Sequence, residues 1–343
     1  MIRNLQALRA LAAMMVVFVH LQPLLATISL PEFGRAGVDL FFVISGFVMV
    51  HTTRTAPPTA FDFARNRVAR IVPIYWVMTF AVFAIAWAAP ALVGGTKPIV
   101  GQLLMSMLFV PFVKASGLVQ PVLFVGWTLN YEMFFYALFA IGLATGRYYA
   151  GMALVAVILI AIVVSGHLLH PTGVPAKFYS NPIVLEFAAG MGLALLTDLA
   201  PRSVSAGARL IAWLSLLAIP VLIAGPILWP DAPRLLVCGS AACVLVAGAV
   251  LLERWGWRID NGAVLRVGDA SYVLYLSHPY IAQLFTKLTA RLHPTGLLSI
   301  ALILICLGLV VAAALALHAW LERPLWRLAR RLLMTERLPA RPA

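Results

Sequence analysis

Apolar positions in this chain neither alternate nor form a single helical stripe. They come in unbroken blocks, at 5–28, 37–53, 71–90, 128–146, 149–167, 182–198, 210–229, 235–252, 271–289 and 297–320. Each block is within the roughly 17–25 residues that carry a helix across the hydrocarbon core of a bilayer. In lipid, a chain of this kind satisfies its backbone polar groups only within helices or a closed barrel, and runs this long suit helices. The pattern predicts an all-α polytopic membrane protein of about ten transmembrane helices. An eleventh stretch, 99–113, is short and interrupted by Pro111, so hydropathy alone does not assign it.

Charge assigns it. If 99–113 does not cross and the N-terminus is cytoplasmic, only Arg35, Lys97, Lys114, Lys177, Arg234, Lys287 and Arg291 of the 25 basic residues fall outside. The remainder face the cytoplasm, as the positive-inside rule requires. A full crossing at 99–113 would invert everything after it or expel the basic C-terminal stretch. The expectation is therefore a re-entrant or interfacial segment near 99–113, both termini cytoplasmic, a single integral membrane domain over 1–343 and a basic cytoplasmic tail over 323–343 that rests on anionic lipid headgroups. The first block follows Met1-Ile2-Arg3-Asn4 directly, but it carries Arg9 and His20 and lacks a small-residue cleavage site. It reads as a retained helix and not as a signal peptide.

Composition agrees with this reading. The chain is 63% hydrophobic and 11% charged, against roughly 25% charged in a soluble domain. A net charge of +13 would suit nucleic acid, yet the basic residues sit in loops and at helix ends, which argues against such a partner. Cys238, Cys243 and Cys306 all lie in apolar blocks without metal-ligand or redox spacing. They read as packing residues, and no metal site is expected. No repeat stands out to support an inverted-repeat transporter.

Ionisable groups inside apolar blocks raise functional hypotheses. Arg9 and His20 stand eleven residues apart, about 1100° of helix, so they share a face with ~16 Å of rise between them. His20 can serve as a general base at neutral pH or as a structural hydrogen bonder between helices. Arg9 on the same face, nearer the cytoplasm, suits the phosphates of a nucleotide-bearing donor whose reactive end reaches His20. Asp39 opens the second block at a depth comparable to His20. It can orient His20 as the third member of a triad does, or simply complement the helix N-terminus.

Further polar clusters follow. Arg65, Arg67 and Arg70, in the predicted loop Asp62–Pro73, suit either donor phosphates or positive-inside anchoring. Trp127, Asn130 and Glu132 at the outer end of the fourth block, and Glu186 at that of the sixth, suit acceptor hydroxyls or neighbouring helices. In Ala270–Pro279, Tyr275 and a second intramembrane histidine, His278, can bind an acceptor or serve structure alone, and Pro279 predicts a kink. Glu322-Arg323-Pro324 ends the last block, where an ion pair or a helix cap explains it.

These stretches together resemble the membrane acyltransferase-3 family: Arg9-x10-His20, Gly37 to Phe47, Arg65-x-Arg67 before Arg70-Ile71-Val72-Pro73, Trp127 to Tyr136, Glu186-Phe187, Ser271 to His278, and Glu322-Arg323-Pro324. The resemblance implies a bacterial inner-membrane O-acyltransferase that moves an acetyl or other short acyl group to a hydroxyl of a cell-surface or exported glycan or a lipid-linked saccharide. The opening Ile2 to Ala12 is similar to the exopolysaccharide-modifying branch. By the same resemblance acyl-CoA is a co-substrate used from the cytoplasm, no cofactor is permanently bound, Arg9 and His20 are the essential pair, and Arg65 and Arg67 lie on the donor side. The reading from another class, a transporter or flippase with His20, Asp39 and Glu132 along a proton or substrate path, fits composition and topology equally well.

Overall fold

The computed structural model describes residues 2–90, 96–201 and 204–334. Numbered along the chain, its α-helices begin with α1 (Arg3–Val19), α2 (Gln22–Ala26), α3 (Gly37–Thr53), α4 (Ala60–Ala88) and α5 (Val100–Met107). There follow α6 (Trp127–Ala144), α7 (Tyr148–Leu169), α8 (Val174–Tyr179), α9 (Leu185–Leu199), α10 (Ala206–Leu214) and α11 (Ala218–Leu228). The last five are α12 (Ser240–Arg254), α13 (Gly262–Asp269), α14 (Ser271–Thr289), α15 (Gly296–Leu317) and α16 (Arg323–Leu333). Among the described residues the only β pairing is an isolated bridge between Val113 and Val119.

Six helical runs are long and apolar enough to cross a membrane: Ala60–Ala88, Tyr148–Leu169, Pro182–Leu199, Ala206–Leu228, Leu235–Arg254 and Gly296–Leu333, with the apolar α3 somewhat shorter. The chain is thus an all-α, multi-pass membrane protein. Predicted crossings also coincide with α1, α6 and α14, which fall short of the length or hydropathy of the six. α1 is cut short at 17 residues, whereas α6 carries Asn130 and Glu132 and α14 carries Gln283, Lys287 and His278. Arg9, Glu132 and His278 lie on these three helices, whereas Arg67, Arg70 and Glu186 lie on two of the six apolar runs.

Three elements differ from the sequence expectation, namely the first block, the loop carrying the arginines and the tail; the stretch 99–113 does not. The first block does not form one helix, because α1 stops at Val19 and α2 starts at Gln22. Pro23 has no N–H to offer the Val19 carbonyl, and its ring would collide with it. His20 therefore sits at the break, its own N–H on the Val17 carbonyl at 3.0 Å. The predicted loop carrying Arg65, Arg67 and Arg70 is instead the first third of α4. Thr59 caps that helix by accepting from the Asp62 N–H at 3.0 Å while its hydroxyl donates to the Asp62 carboxylate at 2.9 Å, a reciprocal cap visible as Thr-x-x-Asp. At 29 residues α4 runs about 44 Å, longer than a hydrocarbon core of ~30 Å, so its basic first turns extend past the lipid core.

The stretch 99–113 yields the eight-residue α5, about 12 Å long and too short to cross. It is held against α4 by the Tyr75 hydroxyl, which donates to the Ser106 carbonyl at 3.1 Å, and by the Trp76 indole, which donates to that of Met107 at 3.0 Å. The expected tail is helical at its start: α15 passes through a π turn at His318–Glu322 into α16. Its remainder, 335–343, lies outside the described residues, as does Arg202.

The bundle centres on α3. A methyl added at Gly46 would sit 2.1 Å from the Phe187 carbonyl oxygen of α9, and one at Gly190 would sit 2.1 Å from that of Val43. Small residues here let the two backbones touch, the usual basis of helix association in lipid. Gly46→Ala is expected to lower stability by about 1–3 kcal/mol, read as a lower unfolding temperature in detergent; an unchanged temperature would contradict this contact. The start of α1 is fixed by Glu253, whose carboxylate accepts from the Arg3 and Asn4 N–H groups at 3.0 and 2.7 Å, an anion placed on a helix N-terminus.

Candidate active site

A cavity of about 160 Å³ opens between α1, α3, α4, α6 and α14, lined by Arg9, Arg67, Arg70, Ser45, Glu132, Tyr136, Thr128, Tyr272 and Tyr275 among others. Helical geometry explains which arginines reach it. On α4, Arg67 and Arg70 lie about 60° apart around the axis, whereas Arg65 is turned about 160° from Arg67. Arg65 stacks over Phe61 at 5.0 Å outside the lining. Arg67 lies over the rings of Phe63 and Tyr136 at 5.7 and 5.8 Å, and its buried Nε has no hydrogen-bond partner among the described residues.

Carboxylates frame these cations. Arg70 pairs with Glu322 at 2.9 Å, and the same carboxylate takes His318 Nδ1 at 2.6 Å. Glu322 is 1% exposed, so without Arg70 a buried charge would lack its partner. Glu132 accepts from the Tyr136 hydroxyl and, at 3.3 Å, from Ser45 on α3. Arg9 has Arg70, Glu132 and Glu322 as charged neighbours. Three guanidiniums thus converge on one wall against two carboxyls, an arrangement suited to an anionic ligand.

At its other end the cavity closes on Thr128, which donates to the Tyr275 hydroxyl at 2.9 Å, while that hydroxyl donates to the Val125 carbonyl at 3.0 Å. Three residues further along α14 is His278. Its ring packs against that of His20 at a centroid distance of 5.1 Å, and His20 also meets the edge of Phe124 at 5.4 Å. His20 is half-buried and lies beside the cavity, outside its lining.

The acyltransferase domain of the acyltransferase-3 family matches residues 2–318. The chain belongs to the acyltransferase-3 family. It is similar to the exopolysaccharide production protein ExoZ of Rhizobium meliloti (strain 1021), with 33% identity over 313 residues, covering 90% of this chain and 95% of that protein. No solved structure matches the chain.

Within this family member, the structure gathers Arg9, Arg67, Arg70, Glu132 and Tyr275 around one cavity and sets His20 and His278 side by side. It does not gather the rest. Asp39 does not attend His20: both of its oxygens accept from Arg234, at 2.9 and 2.6 Å. Asp39 sits on the face of α3 toward α9 and α12, where Glu186 joins it as a charged neighbour. Glu186 therefore belongs to that second cluster, and both its oxygens lack donors. Trp127 packs edge-on against Tyr131 at 6.0 Å, and Asn130 is buried with its side-chain oxygen unmet; neither lines the cavity.

Arg234 and His318 escaped the sequence reading, as did the partner of Glu322. Arg234 reads as an outer-loop cation, Glu322 as a helix-end ion pair, and His318 as part of an apolar block. Arg234 and Glu322 acquire their partners Asp39 and Arg70 through tertiary packing, whereas His318 meets Glu322 on its own helical run. Only Glu322, four residues after His318 and so on the same helical face, left a local signal.

Proposed function

We propose that this protein is a membrane-embedded O-acyltransferase that takes an acetyl or other short acyl group from acyl-CoA and places it on a hydroxyl of an exported polysaccharide or its lipid-linked precursor. The observation that carries this reading is the convergence of Arg9, Arg67 and Arg70 on a cavity whose far wall, Thr128–Tyr275, adjoins the His20–His278 pair. About 16 Å of helix rise separates Arg9 from His20. A donor with phosphates at one end and a reactive carbonyl at the other has the shape to span that distance. The cavity as it stands is smaller than the usual pocket for a whole small-molecule ligand, so it holds a segment of such a donor. The name of the ExoZ relative supports an exopolysaccharide acceptor.

In this reading α1, α3, α6 and α14 complete ten crossings together with the six apolar runs. Both termini are cytoplasmic in a bacterial inner membrane, which puts Arg67 and Arg70 on the side where acyl-CoA is available. Residues 1–343 form one acyltransferase unit, and α16 lies along the headgroups. Arg9, Arg67 and Arg70 hold the phosphates. His20 takes the proton of the acceptor hydroxyl as its oxygen attacks the thioester carbonyl, the C–S bond breaks, and the thiolate leaves with that proton. Glu132 and Tyr275 border the acyl-bearing segment.

The donor assignment discriminates between neighbouring arginines. Arg67→Ala is expected to raise the KM for acetyl-CoA about 10–100-fold, the size of a lost charge-assisted contact, whereas Arg65→Ala changes it less than about threefold. The measurement is incorporation of radiolabelled acetyl from acetyl-CoA into base-deacylated exopolysaccharide by membranes of matched protein content. Equal sensitivity of the two variants would refute this donor placement, and no incorporation by the unaltered protein with any short acyl-CoA would overturn the reaction itself.

A further inference from the structure

His278 is fully buried, at 0% exposure. Its Nδ1 lies 3.0 Å from the Leu274 carbonyl oxygen, one helical turn back. A carbonyl only accepts, so Nδ1 carries the hydrogen, and in the neutral ring Nε2 keeps its lone pair. That Nε2 is buried and without a hydrogen-bond partner among the described residues. Buried polar atoms are normally satisfied, and an unmet one invites an explanation.

The surroundings narrow what can meet it. The His20 ring packs against His278 at 5.1 Å, and the Tyr275 ring lies at 6.0 Å. The Tyr275 hydroxyl is already engaged with Thr128 and Val125. His20 has no side-chain partner of its own from Asp39, which Arg234 occupies. Pro279 shapes the same turn, since it offers no N–H to the Tyr275 carbonyl.

We propose that His278 is the positioning residue for His20: its Nε2 accepts the N–H of the His20 ring, directly or through one water, and so decides which His20 nitrogen faces the acceptor hydroxyl. This rests on the reading of His20 as the base. As the hydroxyl oxygen bonds to the thioester carbonyl carbon, its proton passes to the free His20 nitrogen, and both ring nitrogens then carry hydrogen. One of them donates to His278 Nε2. The other returns its proton to the departing thiolate as the C–S bond breaks. His278 begins and ends neutral, so the device orients a base within the membrane without adding a second buried charge, which would be costly there.

The test compares His278→Gln, whose terminal amide reaches the Nε2 position and offers an acceptor, with His278→Leu and His278→Asn, which offer none there. The purified protein in detergent is assayed with radiolabelled acetyl-CoA and base-deacylated exopolysaccharide, with gel filtration and acetyl-CoA binding confirming the fold. The Leu and Asn variants are expected to lose about 100-fold in kcat, the scale of a small misplacement of a reacting group, with KM for acetyl-CoA within about twofold; Gln recovers most of that rate. Full kcat in either Leu or Asn, or equal losses in all three together with raised KM, would overturn the proposal in favour of packing alone; should Leu not fold, the Asn–Gln comparison decides it. His20→Ala, run in parallel, separates the two levels: an inactive His20→Ala beside a fully active His278→Asn sinks only this inference, and an active His20→Ala sinks the base assignment beneath it.

Discussion

His20→Ala is expected to lower the rate of acyl transfer by about 10²–10⁴-fold, the usual contribution of a positioned general base, without loss of fold or of donor binding. The structure says why the loss should be confined to chemistry. His20 stands at the end of α1, where its backbone N–H bonds to the Val17 carbonyl irrespective of side chain, and the helix break is imposed by Pro23. Its ring is half-buried, meets Phe124 edge-on and lies tilted against His278, so truncation removes little packing. The wall of Arg9, Arg67 and Arg70 lies on the order of 16 Å of helix rise away. The variant should therefore saturate with acetyl-CoA like the unaltered protein and fail at turnover, while Arg9→Ala should fail chiefly at saturation. Measured acetyl incorporation by membranes of equal protein content distinguishes the two patterns; turnover by His20→Ala near that of the unaltered protein would remove His20 from the mechanism.

Local periodicity accounts for what the sequence made legible. The eleven-residue interval between Arg9 and His20 can be counted without reference to any other part of the chain; α1 is regular from Arg3 to Val19, and His20 stands just past its end. The apolar blocks likewise mark the long helices. The cap at Thr59 and Asp62 was equally local but lay within a basic, polar stretch that reads as loop, so the extension of α4 back to Ala60 and the divergence of Arg65 from Arg67 went unread.

The partners of charges were not legible, because they are set by packing between helices distant in sequence. Arg70 meets Glu322 only after α4 and the last helices come together, and Asp39 meets Arg234 across 195 residues. Depth alone put Asp39 level with His20, but depth does not fix which face of α3 a side chain occupies. Gly46 and Gly190 fix it, by drawing α3 onto α9 so that Asp39 faces Glu186 and the segment carrying Arg234. The polar residues of α3 accordingly divide between two sites: Ser45 faces the cavity, where it donates to Glu132, and Asp39 faces away from it.

That division yields the second large effect. Arg234→Met is expected to destabilise the fold by about 1–3 kcal/mol, because losing the partly exposed Arg234 leaves the buried Asp39 carboxylate without its donor, while the folded fraction keeps its acyl-transfer rate. Arg234 holds Asp39 by two parallel hydrogen bonds and also donates to the Arg35 carbonyl at 3.0 Å, so it ties the start of α3 to the start of the α12 run. Asp39 and Glu186 are both fully buried, and among the described residues Arg234 is the cation that meets them. Replacing the pair together, Asp39→Asn with Arg234→Met, removes both charges and should restore most of the lost stability. Thermal unfolding in detergent, alongside activity per folded molecule, separates this from the triad alternative. If Asp39 instead served His20, the double variant would regain stability and remain inactive, because its missing carboxylate would be a loss to chemistry; an active double variant assigns Asp39 to the fold and leaves His20 to be oriented from α14.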